Sequence, residues 1–585
     1  MNEKWSLDPL YRGFDDPALA EDLSELREMC GNYNRFAANL NNMKPAEALH
    51  SYIQQKNDIE KLAYNIGCFA ALSANADTGC TRAMSLSDKV SDICSTVSGA
   101  DSLLSSYVSS VKELDSLIEA DPLLKEHEYY LHGIVKNAVH ILGPKEEEVF
   151  SLMSMSGADA WEQLQSTLTS TVKVDYKGGT ETLSGIRNLA YSPDAETRKS
   201  AYEAELKAYE KIRDGVAFSL NSIKLQTVNE CRLRGYSSPL DRTLCQAHMK
   251  QESLDALLEA MKEYMPMFRR YLKIKAKALG HENGLPWYDL FAPLAYTGRK
   301  YTVEDAENLL LDVFGKFDGQ LHDMVKKAFS DEWIDFYPRD GKVGGAFCEI
   351  LYSQRQSRVL TNFGGEFGDV NTLAHELGHA FHNEMLFDNS MLNQDLPMQL
   401  AETASTFNEN LLSSTVLKET TDKNEKILLI EDQLMNICQV ICDIYSRYLF
   451  EKSVMEQRCE RFLSADDLCE LMLKAQDESY GDGLDRNYRH PYMWLCKSHY
   501  YSGSLSYYNF PYAFGGLFAR SLYMMYVQEG ASFVPKYKKM LKCTTLMDAE
   551  EAAAICGADI TSREFWEAGL KSYEKQVDEL EQLLK

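Results

Sequence analysis

The scarcity of proline constrains the fold of this chain more than any other feature of its sequence. Only 15 of its 585 residues are proline, about half the usual share of roughly 5%. Because proline breaks helix interiors, this scarcity favours long helices. Residues 22–43 and 90–118 also space apolar residues three and four apart, which is typical of helices that bury one stripe. The sequence therefore predicts a mainly α-helical protein.

Two short segments interrupt the helical pattern and predict β-structure. Residues 169–183 alternate β-branched residues around Gly178-Gly179, which predicts a two-stranded hairpin. Residues 343–363 predict two short strands, of which "RVLTNF" is the second. A change of pattern near residue 195 divides the chain into an N-terminal helical lobe with the hairpin (residues 1–195) and a second lobe (residues 196–585).

The charge and the cysteines exclude several classes of protein. A net charge of −27 argues against a nucleic-acid partner, which needs a basic surface, and against anionic membranes. No window holds eighteen consecutive apolar residues, and the first 23 residues lack the pattern of a signal peptide. The 14 cysteines form no C-x-x-C pair and are interpreted as reduced thiols. We expect a cytoplasmic protein without nucleic-acid or membrane partners.

The sequence "HELGH" at residues 375–379 fits the metal-binding pattern H-E-x-x-H. On a helix, predicted over residues 369–387, His375 and His379 lie on one face and can bind one ion. Glu376 can then act as general base toward a metal-bound water. His382 shares this face but lies too far along the helix axis to join both histidines. We interpret it as a histidine that packs or orients a neighbour.

A catalytic zinc ion needs a third protein ligand, which must come from another element. The acidic residues downstream are Glu384, Asp388, Asp395, Glu402 and Glu409. Glu384 is still on the first helix, and the two aspartates lie in a turn region. Glu402 and Glu409 are seven residues apart on a second helix, predicted over residues 398–415. Glu402 can complete a His-His-Glu site, whereas Glu409 either orients a ligand or is a packing or surface carboxylate.

The segments around these residues resemble one known family. "LTNFGGEFGDVNTLAHELGHAFHNEM" (360–385), followed by "LAETASTFNENLL" (400–412), is similar to the oligoendopeptidase F family of zinc peptidases, bacterial relatives of thimet oligopeptidase. The similarity extends to "WSLDPLY" at 5–11, "GGAFC" at 344–348 and "SHYYSGSLSYYNFPYAFG" at 498–515. It spans nearly the whole chain, although the first 190 residues match loosely.

The resemblance implies a fold and a ligand set. His375, His379 and Glu402 would bind one Zn²⁺ ion, and Glu376 would be the catalytic base. The fold would be two helical lobes that enclose a deep substrate channel. A small β-sheet would line the rim of the cleft, with "RVLTNF" as its exposed edge, to which an extended peptide can add.

The resemblance also implies substrate-facing residues in the C-terminal segment 498–515. The matching histidine is His499. The candidate tyrosines are Tyr507, Tyr508 and Tyr512, with Tyr508 preferred and Tyr512 second. Several relatives carry a tyrosine where this chain has Phe510. Which tyrosine hydroxyl contacts the substrate is therefore left open.

These observations predict a zinc-dependent endopeptidase that hydrolyses internal bonds of oligopeptides with metal-activated water. Two alternatives stay open. A zinc carboxypeptidase or dipeptidase could use the same helix pair, but it needs a basic group for the substrate C-terminus, and the sequence singles out none. A non-catalytic helical peptide-binding protein is the other alternative. Manganese or cobalt could replace zinc, and the sequence does not predict the oligomeric state.

Overall fold

The computed structural model describes residues 3–295 and 299–585, and 71% of the chain is helical. Within the described residues, nine α-helices precede the first strand. They are α1 (Pro17–Ala38), α2 (Pro45–Ala76), α3 (Thr81–Ser95), α4 (Ser98–Ser110), α5 (Leu114–Ala120), α6 (Pro122–Glu126), α7 (Glu128–Ala138), α8 (Pro144–Ser156) and α9 (Ala158–Thr171). A hairpin of β1 (Lys173–Tyr176) and β2 (Gly179–Thr182) follows, as the sequence predicts.

The middle of the chain combines helices with a three-stranded sheet. Its helices are α10 (Leu183–Asn188), α11 (Ala195–Glu210), α12 (Arg213–Leu233), α13 (Pro239–Gln246), α14 (Gln251–Ala278), α15 (Val303–Phe317) and α16 (Gly319–Ser330). The strands are β3 (Ile334–Asp335), β4 (Phe347–Leu351) and β5 (Gln356–Leu360).

The rest of the described chain consists of α-helices and the segments that connect them. Its helices are α17 (Phe367–Leu386), α18 (Met398–Ala401), α19 (Thr403–Glu419), α20 (Lys423–Cys438), α21 (Ile444–Arg458), α22 (Ala465–Tyr480), α23 (Phe510–Glu529), α24 (Val534–Cys543), α25 (Ala549–Ile555) and α26 (Arg563–Leu583). The mainly α class with small sheets is confirmed.

The order of strands in the second sheet corrects one expectation. The order is β3-β5-β4, with β5 parallel to β3 and antiparallel to β4. "RVLTNF" supplies most of β5, so this segment forms the centre of the sheet and not its exposed edge. The edge strands are β3 and β4, and β4, which precedes β5 in the chain, contains Cys348. The error arose because alternation identifies a strand but not its neighbours.

Buried side chains form three main hydrophobic clusters. One is built by α1–α7, a second by α9–α12 together with α21, α22 and residues 492–501, and the third and largest by α13–α26 with the second sheet. The boundary near residue 195 stays a prediction. Among the described helices, none combines the length and apolar character needed to cross a membrane.

Candidate metal centre

Helix α17 carries the "HELGH" segment and begins with a reciprocal cap. The Glu366 side chain accepts from the first turn, and the Asp369 side chain accepts from the Glu366 backbone N–H. The helix therefore runs Phe367–Leu386, and Asp369, predicted to start it, lies in its first turn. His375 and His379 are one turn apart, with ring centroids 4.8 Å from each other.

Gly378 lets α17 approach α19 closely. A Cβ atom at this position would lie 2.5 Å from both the Ala404 carbonyl oxygen and the Ser405 Cα. Those atoms belong to the backbone of α19, so they cannot move away as a flexible side chain can. The glycine inside the motif thus holds the histidine helix against the helix that follows Glu402.

We expect Gly378→Ala to separate the two helices and to damage the metal centre. Overpacking of this kind typically costs about 1–3 kcal/mol of stability. Thermal unfolding and competition with a chelator would measure both effects. Gly368→Ala is the matched control, because it lies on the same helix with no atom within 4 Å of the added Cβ. Equal behaviour of the two variants would contradict the role given to Gly378.

Glu402 lies at a break between two helices. Residues 398–415 were predicted as one helix, but α18 ends at Ala401, and Glu402 joins it to α19 with φ −86° and ψ 5°. The break turns the Glu402 side chain toward α17. Gly515 on α23 gives it room, since a Cβ there would lie 3.1 Å from the Glu402 Cβ.

The predicted ligands converge with the geometry that a tetrahedral ion requires. His379 Nε2 lies 3.2 Å from His375 Nε2, and Glu402 Oε2 lies 3.2 Å from His375 Nε2 and 3.4 Å from His379 Nε2. A tetrahedral ion with bonds of about 2.0–2.1 Å separates its ligands by about 3.3–3.4 Å. Two nitrogens and one carboxylate oxygen at these separations fit a zinc ion with one position left for water.

Hydrogen bonds outside the ligand set orient these groups. Nδ1 of His375 lies 2.5 Å from Glu409 Oε1 and donates to it, which leaves the Nε2 lone pair for a metal. The Asn371 amide donates to the other Glu409 oxygen at 2.9 Å, and the Ser405 hydroxyl donates to Glu402 Oε2 at 2.9 Å. Of the two alternatives for Glu409, the orienting contact is the one observed. The sequence pattern did not identify Asn371 and Ser405, although both are one turn from a ligand.

Hydrogen bonds among these groups shift the pKa values of His375 and Glu402 in opposite directions. Burial lowers the pKa of His375, but hydrogen bonds to Glu402 and Glu409 outweigh it and raise the pKa to about 10. Burial raises the pKa of Glu402, yet the hydrogen bonds from both histidines hold it well below its usual range.

Glu376 differs from the ligands in its surroundings. Its side chain is 5% exposed, and burial raises the pKa of its carboxyl above the usual value. Among the described residues it has no hydrogen-bond partner. A carboxylate with a raised pKa and free lone pairs next to the ligands suits a general base.

His382 packs away from the metal centre, in agreement with its interpretation. The ring is 1% exposed, and Nε2 lies 2.8 Å from the Thr544 hydroxyl and 3.2 Å from the Leu541 carbonyl oxygen. Burial lowers the pKa of His382 to about 4, so the ring is neutral in the fold.

We expect His382 to make the fold less stable in acid. Because its pKa falls from 6.5 to about 4 on folding, the unfolded chain binds more protons below pH 6.5, and stability is lost as the pH falls toward 4. Between pH 7 and 5 the loss from this group is of the order of 2 kcal/mol. Urea titrations at saturating zinc should show a smaller loss for His382→Gln than for wild type. Parallel losses in the two proteins would contradict this expectation.

His499 and two of the predicted tyrosines form one aromatic cluster. The His499 ring lies 5.2 Å from Tyr508 and 5.8 Å from Tyr512, and the two tyrosine rings are 5.6 Å apart. Tyr512 is 38% exposed and lines a cavity of about 350 Å³ together with His375 and Glu402. Tyr507 is buried against Tyr448 instead.

The cluster presents neutral donors. Burial lowers the pKa of His499, as do the nearby Arg447 and Lys497 charges, so its ring is neutral at pH 7. Burial and the neighbouring Tyr508 hydroxyl raise the pKa of Tyr512 to about 12. Because Tyr512 borders the same cavity as the ligands, we rank it above Tyr508, which was preferred from the sequence.

The other acidic candidates have different partners. Glu384 accepts from the Gln320 amide at 2.8 Å. Asp388 pairs with Arg355 at 3.0 Å and with Lys542 at 3.1 Å. Asp395 lines a separate cavity. Within the described ranges 3–295 and 299–585, the group that could hold a metal is His375, His379 and Glu402.

The chain matches two known families of protein sequences. The sequence pattern of peptidase family M3 matches residues 188–572, and that of oligopeptidase F matches residues 110–173. Oligopeptidase PepF of Bacillus subtilis is 24% identical over 597 residues, which cover 100% of this chain and 87% of that protein. Group B oligopeptidase PepB of Streptococcus agalactiae is 25% identical and covers 99% of this chain and 97% of that protein.

Solved structures share the fold. A putative peptidase from Chlamydophila abortus superposes with a TM-score of 0.87 at 23% identity, covering 99% of this chain and 98% of that one. Oligoendopeptidase-F from Enterococcus faecium gives a TM-score of 0.70 at 20% identity, covering 97% and 99%. At these identities the likeness establishes the fold.

Proposed function

The chain belongs to peptidase family M3, and we propose that it is a zinc-dependent endopeptidase that cleaves short oligopeptides in the cytoplasm. His375, His379 and Glu402 would be the zinc ligands and Glu376 the catalytic base. The observation that carries the proposal is the spacing of the three ligand atoms, 3.2–3.4 Å from one another, beside a buried and unpaired Glu376.

The proposed reaction is direct hydrolysis by water. A zinc ion, when bound, supplies a Lewis acid that lowers the pKa of water to about 7 and polarises a carbonyl. Glu376 takes one proton as the water oxygen bonds to the peptide carbon, and it delivers that proton to the leaving amine as the C–N bond breaks. The products are one carboxylate and one amine.

The aromatic cluster would stabilise the oxyanion that forms on the carbonyl oxygen. The His499 ring and the Tyr512 hydroxyl are neutral donors next to the ligand cavity. One well-placed donor of this kind contributes about 3 kcal/mol to transition-state stabilisation. Tyr508, in contact with both rings, would position them or donate in place of Tyr512.

Strand β4 offers a place for the substrate backbone. It is one of the two edge strands of its sheet. Burial raises the pKa of its Cys348 thiol, and the nearby charge of Glu376 raises it further. An extended peptide could pair with this edge and lie alongside the catalytic base.

Mass spectrometry of a mixed peptide set of varied lengths tests the proposal. We expect internal cuts, lost after removal of metal by a chelator and restored by Zn²⁺. Stepwise trimming from one end would favour the carboxypeptidase or dipeptidase. A complete lack of cleavage by zinc-loaded protein would favour the peptide-binding protein.

A further inference from the structure

A second cavity of about 350 Å³ is lined by residues other than those that line the cavity of the metal ligands. Its walls come from α10, α11, residues 287–291 and residues 493–497. Gln439 borders it, while the next residue, Val440, borders the cavity of the metal ligands. Lys497, also in its wall, precedes His499 by two residues. The two cavities are therefore neighbours on either side of the Gln439–Asp443 segment.

Three cationic side chains line this second cavity, those of Lys497, Arg187 and Arg198. Within the part of the chain that the structure describes, Lys497 Nζ has no hydrogen-bond or ion-pair partner. Arg187 contacts Glu205 through Nε, 3.3 Å from Oε1. That carboxylate is shared, since it also accepts from Tyr209 at 3.0 Å and lies 3.4 Å from His490 Nε2.

The charges around Lys497 do not balance. Arg447 pairs with Asp443 and Arg187 with Glu205, so Lys497 is the surplus cation among these five groups. Burial lowers the pKa of Lys497, which shows the cost of holding it without a partner. By contrast, Arg198 in the same wall is paired with Asp289 at 2.7 Å. An unpaired lysine that faces a cavity can bind an external anion.

Five aromatic residues also line this cavity. Tyr191 and Phe291 lie with ring centroids 4.9 Å apart, and Tyr202 and Tyr288 with centroids 5.7 Å apart. Trp287 completes this lining. A cavity with a cationic side and aromatic walls matches a carboxylate attached to an apolar side chain.

We propose that this cavity binds the C-terminal carboxylate of the peptide substrate, with Lys497 and Arg187 as its cationic partners. The proposal rests on the peptidase function proposed above. It supplies the basic group for the substrate C-terminus that the sequence did not single out, and it adds a specificity site to the catalytic centre.

The short link between Lys497 and His499 limits where the substrate is cut. Two residues span at most about 7 Å, and with the reach of both side chains the carboxylate lies within about 20 Å of the oxyanion position. An extended peptide advances about 3.4 Å per residue. The cut should therefore lie no more than about six residues from the C-terminus.

Paired peptides with a free or an amidated C-terminus test the proposal. For wild type we expect kcat/KM to be at least about tenfold higher for the free acid, since a charge-assisted hydrogen bond is lost in the amide. Lys497→Met should remove most of this preference, and Lys497→Arg should retain it. Lys474→Met, which changes an exposed lysine of α22, is the matched control and should leave the preference unchanged.

The affinities for the free-acid and the amidated peptide can be compared without turnover. Zinc-loaded Glu376→Gln protein is titrated with the two fluorescently labelled peptides, and the free acid should bind at least about tenfold more tightly. If wild type cleaves both peptides equally and the Glu376→Gln protein binds them equally, the carboxylate site is refuted while the peptidase function stands. If nothing is cleaved but the acid is still preferred in binding, the peptidase function fails and the carboxylate site stands.

The position of the cut gives an independent readout. In a series lengthened at the N-terminus, the cut should stay at a fixed distance from the C-terminus. In a series lengthened at the C-terminus, the cut should move with the added residues. Cuts that follow the local sequence in both series would overturn the proposal.

Discussion

Glu376→Gln should bind zinc as wild type does and lose nearly all peptidase activity. Glu376 lies outside the ligand set, so the amide leaves His375, His379 and Glu402 unchanged. An amide cannot take a proton from water, and removal of a general base typically costs 10²- to 10⁴-fold in rate. We expect kcat to fall by at least about 100-fold, with one zinc ion per chain in elemental analysis.

Glu384→Gln is the matched control for this variant. It makes the same change on the same helix, where the side chain accepts from Gln320 away from the ligands. Its kcat should remain close to that of wild type. Unimpaired cleavage by Glu376→Gln would remove Glu376 from the mechanism, whereas zinc loss in that variant would make the residue a ligand or a structural group.

Much of this fold follows from local pattern. The three-to-four spacing and the scarcity of proline predicted the helices, and β-branched alternation around two glycines predicted the hairpin. H-E-x-x-H needs one helix turn to place His375 and His379 together, so this part of the site was also predictable. The resemblance to oligoendopeptidase F proteins, carried by these segments, is confirmed.

What the sequence missed depends on contacts between distant elements. β5 is not an edge strand, because β3, only two residues long, pairs with it on the side opposite to β4. The edge that the sequence assigned to β5 therefore belongs to β4. The helix predicted over 398–415 breaks at Glu402. There the segment packs closely against both α17 and α23, and this packing outweighs helix propensity. Lys497 and Arg187 are 310 residues apart, so no local pattern could bring them to one cavity.

Glu402→Gln should weaken zinc binding more than any change outside the ligand set. Loss of a hydrogen bond to a ligand costs about 10- to 100-fold in metal affinity, and loss of the ligand's charge should exceed that range. Competition with a chelator of known zinc affinity would measure it. At limiting zinc the variant should be inactive, and excess Zn²⁺ should restore part of the activity, because His375, His379 and Glu376 remain.

Because the break between α18 and α19 directs the Glu402 side chain toward α17, this variant tests the position of the third ligand as well as its charge. Glu419→Gln makes the same change in an exposed ion pair with Lys316, 3.5 Å away, at the other end of α19, and should leave zinc affinity unchanged. If Glu402→Gln binds zinc as tightly as that control, the third ligand is another residue. Asp388 pairs with Arg355 and Asp395 lines a separate cavity, so neither is a candidate. The carboxylate to examine next would be Glu409, which would then bind the metal directly instead of orienting His375.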